Sequence, residues 1–225
     1  MKSLALVLVG VVAATGCHGL RGLHFGSSVQ GSGKSATRKV SVGPGKEVKS
    51  FTKINTHGSF DVNVKIGAQS DLVVTGDDNI VKLVEFRVDG QTLHIKTTDS
   101  YSTHLGLKVD VTVPKLTGYS IDGSGDAVIA GAQGEELGLS ISGSGSIRAS
   151  GSSKKLSAAI SGSGDIDASE VTADSASADI SGSGTIKVGK SQALAAAIAG
   201  SGDILYKGKP TVSKSIHGSG DVRPF

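Results

Sequence analysis

The residue in this sequence with the most distinctive chemistry is Cys17, the only cysteine in the chain. It follows Ala14-Thr15-Gly16, and ahead of those lie Lys2 and an unbroken apolar run from Leu4 to Ala14. A positive start, a short apolar core and small residues before a cysteine mark an export signal that is cut at that cysteine. The chemistry is attachment of a diacylglycerol to the Cys17 sulfur, and the usual triple acylation would anchor the chain firmly, since each buried CH₂ adds about 0.8 kcal/mol. Ala14 stands where such signals usually carry leucine. The apolar run is about half the ~20 residues a spanning helix needs, and nothing later in the chain is long or apolar enough to span. One cysteine also excludes an intrachain disulfide.

Four aspartates, Asp126, Asp165, Asp203 and Asp221, each follow a Gly-Ser-Gly motif directly. Calcium ligation would be their chemistry, but calcium needs about six to eight oxygens around one ion, and Ser146 and Thr185 interrupt the row. Turn capping on a solvated corner accounts for them better. Six histidines (18, 24, 57, 94, 104 and 217) show no metal-ligand spacing, and no metal site is assigned. His57 and His217 each precede a glycine of the motif or of a degenerate copy, which would place them on one corner row. The carboxylate pairs Asp77-Asp78, Glu135-Glu136 and Asp165/Asp167 lack a second group whose position the spacing fixes, so no catalytic residue is assigned. A glycine-rich phosphate loop needs a helix after it, and no helical pattern follows any copy. No cofactor is implied.

What must position these residues is a repeat. Gly-Ser-Gly recurs at 123, 143, 162, 182, 200 and 218, and isoleucine precedes each copy at 121, 141, 160, 180, 198 and 216. Within each copy the period is two: Leu156, Ala158, Ile160, Gly162, Gly164, Ile166 and Ala168 alternate with polar or small residues, as a strand with one buried face requires. A strand pattern returning every 18 to 20 residues fits one coil of a right-handed parallel β-helix, or β-solenoid, in which like residues stack at ~4.8 Å. The paired glycines, Gly123 and Gly125, Gly143 and Gly145, Gly162 and Gly164, Gly182 and Gly184, Gly200 and Gly202, Gly218 and Gly220, are the corners, where positive φ or a narrow interior excludes a side chain. On that reading Gly164→Val introduces backbone strain and overpacking together. The serines between them (124, 144, 163, 183, 201 and 219) would form a hydrogen-bonding ladder. Lys214 takes an alanine slot in the last copy, so residues 210 to 225 read as a polar cap.

The organisation follows: residues 1–16 a signal peptide, 17–47 a flexible tether, 48–115 a less regular β region, and 116–225 the regular solenoid, with 48–225 one continuous domain. Strand signals in the third segment are FTKINTHGSFDVNVKI, DLVVTG, VEFRV, TLHIKT and LKVDVTVPKL, with a hairpin at Asp89-Gly90 and Asp77 or Asp78 capping a helical turn over 79–83. Without residues 1–16 the chain carries 22 basic and 20 acidic side chains, a net of +2, too balanced for nucleic acid.

The segments Phe51-Thr52-Lys53-Ile54-Asn55, His57-Gly58-Ser59-Phe60-Asp61, Val113-Pro114-Lys115-Leu116 and the series from Asp122-Gly123-Ser124-Gly125-Asp126 resemble the bacterial family of putative auto-transporter adhesins with a head GIN domain. Lys53 replaces the glycine of the Gly-Ile-Asn signature. The resemblance covers roughly residues 48–223. It implies a β-helical fold and an envelope location, as an exported protein or outer-membrane lipoprotein, periplasmic or surface-exposed. The functional expectation is a non-catalytic protein, held to the membrane through lipid on Cys17, that presents its solenoid to a surface, glycan or protein partner. The alternative is a β-helical enzyme acting on envelope or extracellular polysaccharide, which requires a groove where carboxylates and basic side chains converge.

Overall fold

A computed structural model describes residues 28–225 except 44, 46 and 47. The expected signal peptide, Cys17 and residues 17–27 of the expected tether lie outside the described residues. The chain forms strands β1 (Val29–Gln30), β2 (Ser35–Ser41), β3 (Lys53–Gly58), β4 (Asp61–Ile66), β5 (Asp71–Asp77), β6 (Val84–Asp89), β7 (Thr92–Thr97), β8 (Tyr101–Ser102) and β9 (Lys108–Val113), with one 3₁₀ turn at Val81–Leu83. There follow β10 (Gly118–Gly123), three long winding strands β11 (Asp126–Gly143), β12 (Ser146–Gly162) and β13 (Asp165–Gly182), and then β14 (Thr185–Val188), β15 (Ala193–Gly200), β16 (Asp203–Tyr206), β17 (Thr211–Gly218) and β18 (Asp221–Pro224).

From β10 onward every pairing is parallel and in register with the repeat: Ile121 with Ile141, Ile141 with Ile160, Ile160 with Ile180, Ile180 with Ile198, Ile198 with Ile216. This is a parallel β-solenoid. Alternation places two isoleucine-rich rows inside, one before each corner and one after it (Ile147, Ile166, Ile186, Ile204), all buried except Ile216 in the last coil, which is half-buried. Two residues ahead of the first row, Leu139, Ala158, Ala178 and Ala196 make a further buried row. Lys214 pairs with Ala196 at the end of that row and is exposed, so the last coil carries charge where the others carry core.

The front half is built on the same coil. β3 and β4 make a coil whose corner is Gly58-Ser59-Phe60: β3 pairs in parallel with β10, and β4 with the start of β11. Outside it lies a partial coil made later in sequence, β7 and β9, parallel to β3 and β4 respectively. Antiparallel β6 covers β7, and antiparallel β5 and β2 extend from β9. One hydrophobic core runs without a break from Val40 to Val222.

Two expectations are corrected. Residues 29–41, read as tether, form β1 and β2, and Gly31-Ser32-Gly33 is a fastened turn: Ser32 N donates to Asn79 Oδ1 (3.0 Å) and Gly33 N to Asp77 Oδ1 (2.6 Å). The alternation of β2 is real but concealed. Its inward positions are Ala36, Arg38 and Val40, and Arg38 hides as a charge while its guanidinium donates to Val84 O (2.8 Å) and lies over the Phe86 ring. The second correction concerns the helical turn, which no side chain caps. Asp77 contributes its carbonyl to Ile80 N instead, while its buried carboxylate accepts from Gly33 N, Thr103 Oγ1, His104 N and Leu105 N.

Candidate functional site

The two glycines of each motif do different work. The first, at 123, 143, 162, 182, 200 and 218, has φ between +131° and +145°, as does Gly58 in the front coil at +133°. This conformation lets the amide of the next serine reach the carbonyl of the equivalent glycine one coil back: Ser144 N to Gly123 O (3.0 Å), Ser163 N to Gly143 O (2.9 Å), and so on to Ser219 N with Gly200 O (2.9 Å). The corner ladder therefore runs through serine backbone. The second glycine has ordinary φ but no room. A Cβ on Gly164 would sit 2.5 Å from Gly145 O and 2.8 Å from Ile141 Cγ2.

The aspartates beyond the corner are tied into the stack. Asp126 Oδ1 accepts from Ser146 N (3.1 Å) and Ser146 Oγ (2.7 Å), Asp165 Oδ1 from Thr185 N (2.9 Å), and Asp203 Oδ1 from Asp221 N (3.0 Å). Each carboxylate satisfies an amide of the following coil, the role of a turn cap repeated along a column. With the next outward row, Asp126 and Asp165 line an open groove that also contains Arg148, Asp167 and Lys187. The convergence of carboxylates and bases that a polysaccharide-cleaving enzyme needs is thus present. Asp167 is not held there as a general acid would be. Burial raises the Asp167 carboxyl, but hydrogen bonds from Ser169 and the charges of Lys187 and Arg148 outweigh it, leaving the group below the usual carboxylate range. A general acid must be held above that range.

On the other side of the corner the outward face is flat and built from small side chains. Across the stack its rows read Gly118, Gly138, Ser157, Ser177, Ala195, Ser213; then Ser120, Ser140, Ala159, Asp179, Ala197, Ser215; then Asp122, Ser142, Ser161, Ser181, Ala199, His217. Two shallow open depressions lie on it, one running from Lys53 and His94 to Ala159, the other from Ser140 to Ser181. The buried partners of these residues are the isoleucine and alanine rows, so the backbone is rigid and the hydroxyls repeat at ~4.8 Å.

The front end of this face collects histidines that spacing had left scattered. His57 continues the row of Asp122, and His217 closes the same row at the far end, so the two do share a corner row. His57 Nδ1 lies 3.2 Å from Asp122 Oδ2, and its Nε2 lies 3.5 Å from His94 Nδ1, with the two rings 13° from parallel. Asn55 Nδ2 donates to Asp122 Oδ2 (3.1 Å), and its own Oδ1 is buried without a partner. The pair lies 37 residues apart in sequence, and only the parallel pairing of β3 with β7 joins it. The remaining candidates stay apart: Glu135 pairs with Lys154 (2.8 Å), His104 lends only its amide to Asp77, and His18 and His24 lie outside the described residues.

The family model for the putative auto-transporter adhesin, head GIN domain, matches residues 50–210. A putative adhesin from Bacteroides fragilis is similar in structure, with 27% identity and a TM-score of 0.71, covering 88% of this chain and 100% of its own. A putative lipid binding protein from Parabacteroides distasonis is 26% identical with a TM-score of 0.52 over 88% of this chain and 100% of its own. A second putative adhesin from P. distasonis, 23% identical with a TM-score of 0.56 over the same shares, is alike in fold. No curated protein matches the chain.

Proposed function

The chain belongs to the family of putative auto-transporter adhesins with a head GIN domain, and on that premise we propose that it is a lipid-anchored, non-catalytic envelope protein that binds an extended ligand along the flat face of its solenoid. The observation that carries this reading is three outward rows built mostly of Gly, Ser and Ala, with Asp179 the one charged side chain in their middle and Asp122 and His217 at the two ends of the third row. Small side chains let a long ligand lie against the sheet without displacing anything, and the hydroxyls offer donors and acceptors at a regular interval. A glycan chain or an extended segment of a surface protein matches that shape. Cys17 supplies the membrane attachment in this reading, and the outer membrane its place.

Two measurements test it. Arginine at Ser140 or Ala159 puts a bulky charge in the middle of the face. Adhesion of cells or of protein-coated beads should fall sharply while the melting temperature holds, and undiminished adhesion would remove the face from consideration. Protease treatment of intact cells, compared with permeabilised cells and with Cys17→Ala, reports placement and anchoring together: loss of the body from intact cells supports a surface role, and acyl label persisting on Cys17→Ala would overturn the anchor.

The competing enzyme reading draws on the groove at Arg148, Asp165, Asp167 and Lys187. It requires Asp167→Asn to abolish cleavage of an envelope polysaccharide. The engagement of Asp126 and Asp165 in the stack, and the absence of a raised carboxyl at Asp167 to serve as the acid, favour binding over cleavage.

A further inference from the structure

We propose that His57 and His94 form an open two-histidine site for a divalent transition metal such as zinc, with Asp122 as the positioning residue. The separation between His57 Nε2 and His94 Nδ1 is 3.5 Å. Two nitrogens bound to one tetrahedral zinc at ~2.0–2.1 Å stand about 3.4 Å apart, so the distance fits; with the rings 13° from parallel and their centroids 5.8 Å apart the nitrogens face each other, and each ring turns by roughly 35° to bring both lone pairs onto one ion. An N–H···N hydrogen bond at 3.5 Å would be long.

The tautomer suits this use. With His57 Nδ1–H donating to Asp122 Oδ2 at 3.2 Å, Nε2 keeps its lone pair and turns it toward His94. A carboxylate behind a ligating imidazole is the usual outer-shell arrangement, fixing ring orientation and raising ligand basicity. Asn55 donates to the same Asp122 oxygen at 3.1 Å, a second hydrogen bond that fixes the carboxylate behind His57.

The surroundings admit an ion with water. A shallow hollow lined by His57, Glu85, Arg87, Asp89, His94 and Lys96 opens over the histidines. Its charges are mixed. Lys96 is turned to Glu85 (3.4 Å), which lowers its opposition to a cation. Among the described residues no set of three histidines, cysteines or carboxylates comes within reach of one ion. Among those residues the site therefore has two ligands, with its other positions open to water or to another donor.

The test is zinc titration of the purified full chain by calorimetry, repeated with cobalt(II) to read tetrahedral coordination from its visible absorption. His57→Ala, His94→Ala and Asp122→Asn are compared with the parent. Cys17, His18 and His24 are present in every form, so the comparison subtracts whatever they bind. The expected result is one site whose affinity falls at least tenfold in each histidine variant and about 10–100-fold in Asp122→Asn, with apo melting temperatures unchanged because all three side chains are exposed or half-buried. Tetrahedral cobalt absorption should vanish with His94→Ala. Equal zinc affinity in parent and His94→Ala, or cobalt absorption that survives it, would overturn the proposal. Zinc affinity unchanged in Asp122→Asn alone would remove Asp122 from its positioning role.

Discussion

Three glycine-to-alanine substitutions separate the strain at the corners from the crowding. Gly131 has φ of +74° and nothing within 4 Å of the place a methyl would take, so Gly131→Ala carries strain alone, about 1 kcal/mol for an L-residue in the left-handed region. Gly164 has ordinary φ, and its methyl would meet Gly145 O at 2.5 Å and Ile141 Cγ2 at 2.8 Å. Crowding acts there without strain, which corrects the expectation that both act at Gly164. The carbonyl cannot move without loosening the Asp165 N to Gly145 O bond (3.1 Å), so we expect about 2 kcal/mol, within the usual ~1–3 kcal/mol for overpacking. Gly182 combines φ of +138° with direct overlap of the Gly162 carbonyl, for about 4 kcal/mol in total. The unfolded-state gain from replacing glycine, ~0.4–1 kcal/mol, is common to all three and cancels in the ranking. Urea unfolding gives the free energies, and each kcal/mol should lower the melting temperature by roughly 2–4 °C in a domain of this size. If Gly164→Ala unfolds no more easily than Gly131→Ala, the close approach of backbones at the second glycine is refuted. If Gly182→Ala matches Gly164→Ala, positive φ contributes nothing there. Gly164→Val adds two further methyls and should exceed Gly164→Ala.

Further outcomes follow from the buried groups. The Asp77 carboxyl is held below its ordinary value by the Thr103 hydroxyl, against burial, with help from the Gly33, Leu105 and His104 amides. The stability it contributes is fully present above the unfolded carboxylate range and is lost as pH falls through the folded value. Hydrogen-exchange protection of Ser35–Ser41, taken relative to the intrinsic rate at each pH, should therefore fall in acid, and Asp77→Asn should show that loss already at neutral pH; unchanged protection would deny that Asp77 fastens the amino-terminal strands. Tyr119 is buried, and desolvation pushes its phenol well above the usual range despite the Thr56 hydroxyl at 3.4 Å. Its contribution is present below about pH 10, the unfolded value, and is lost as pH rises above it. Alkaline unfolding should coincide with Tyr119 ionisation in absorbance, and Tyr119→Phe should move the midpoint to higher pH.

What the sequence determines by itself is the solenoid, because in-register parallel stacking converts a spacing of 18 to 20 residues directly into neighbours. Ile160 touches Ile141 and Ile180 for the same reason that the three occupy one slot of a repeat. The front half shows its strands as clearly, yet not their order. Alternation reports that a strand has one buried face and is silent about which strand lies beside it, so placing β7 and β9 outside the earlier β3 and β4 is decided by the tertiary structure. Arg38 concealed β2 because a charge in an inward slot breaks the alternation that marks a strand, while packing over Phe86 and a carbonyl partner make the slot tolerable. Asp77 looked like a cap because a carboxylate before a helical turn is a local pattern; the four donors that hold it come from segments brought together only by the fold. The histidine pair is of the same kind. His57 and His94 sit on separate strands in slots unrelated by the repeat, and the diagonal offset between two parallel neighbours gives them a common site that no spacing expresses.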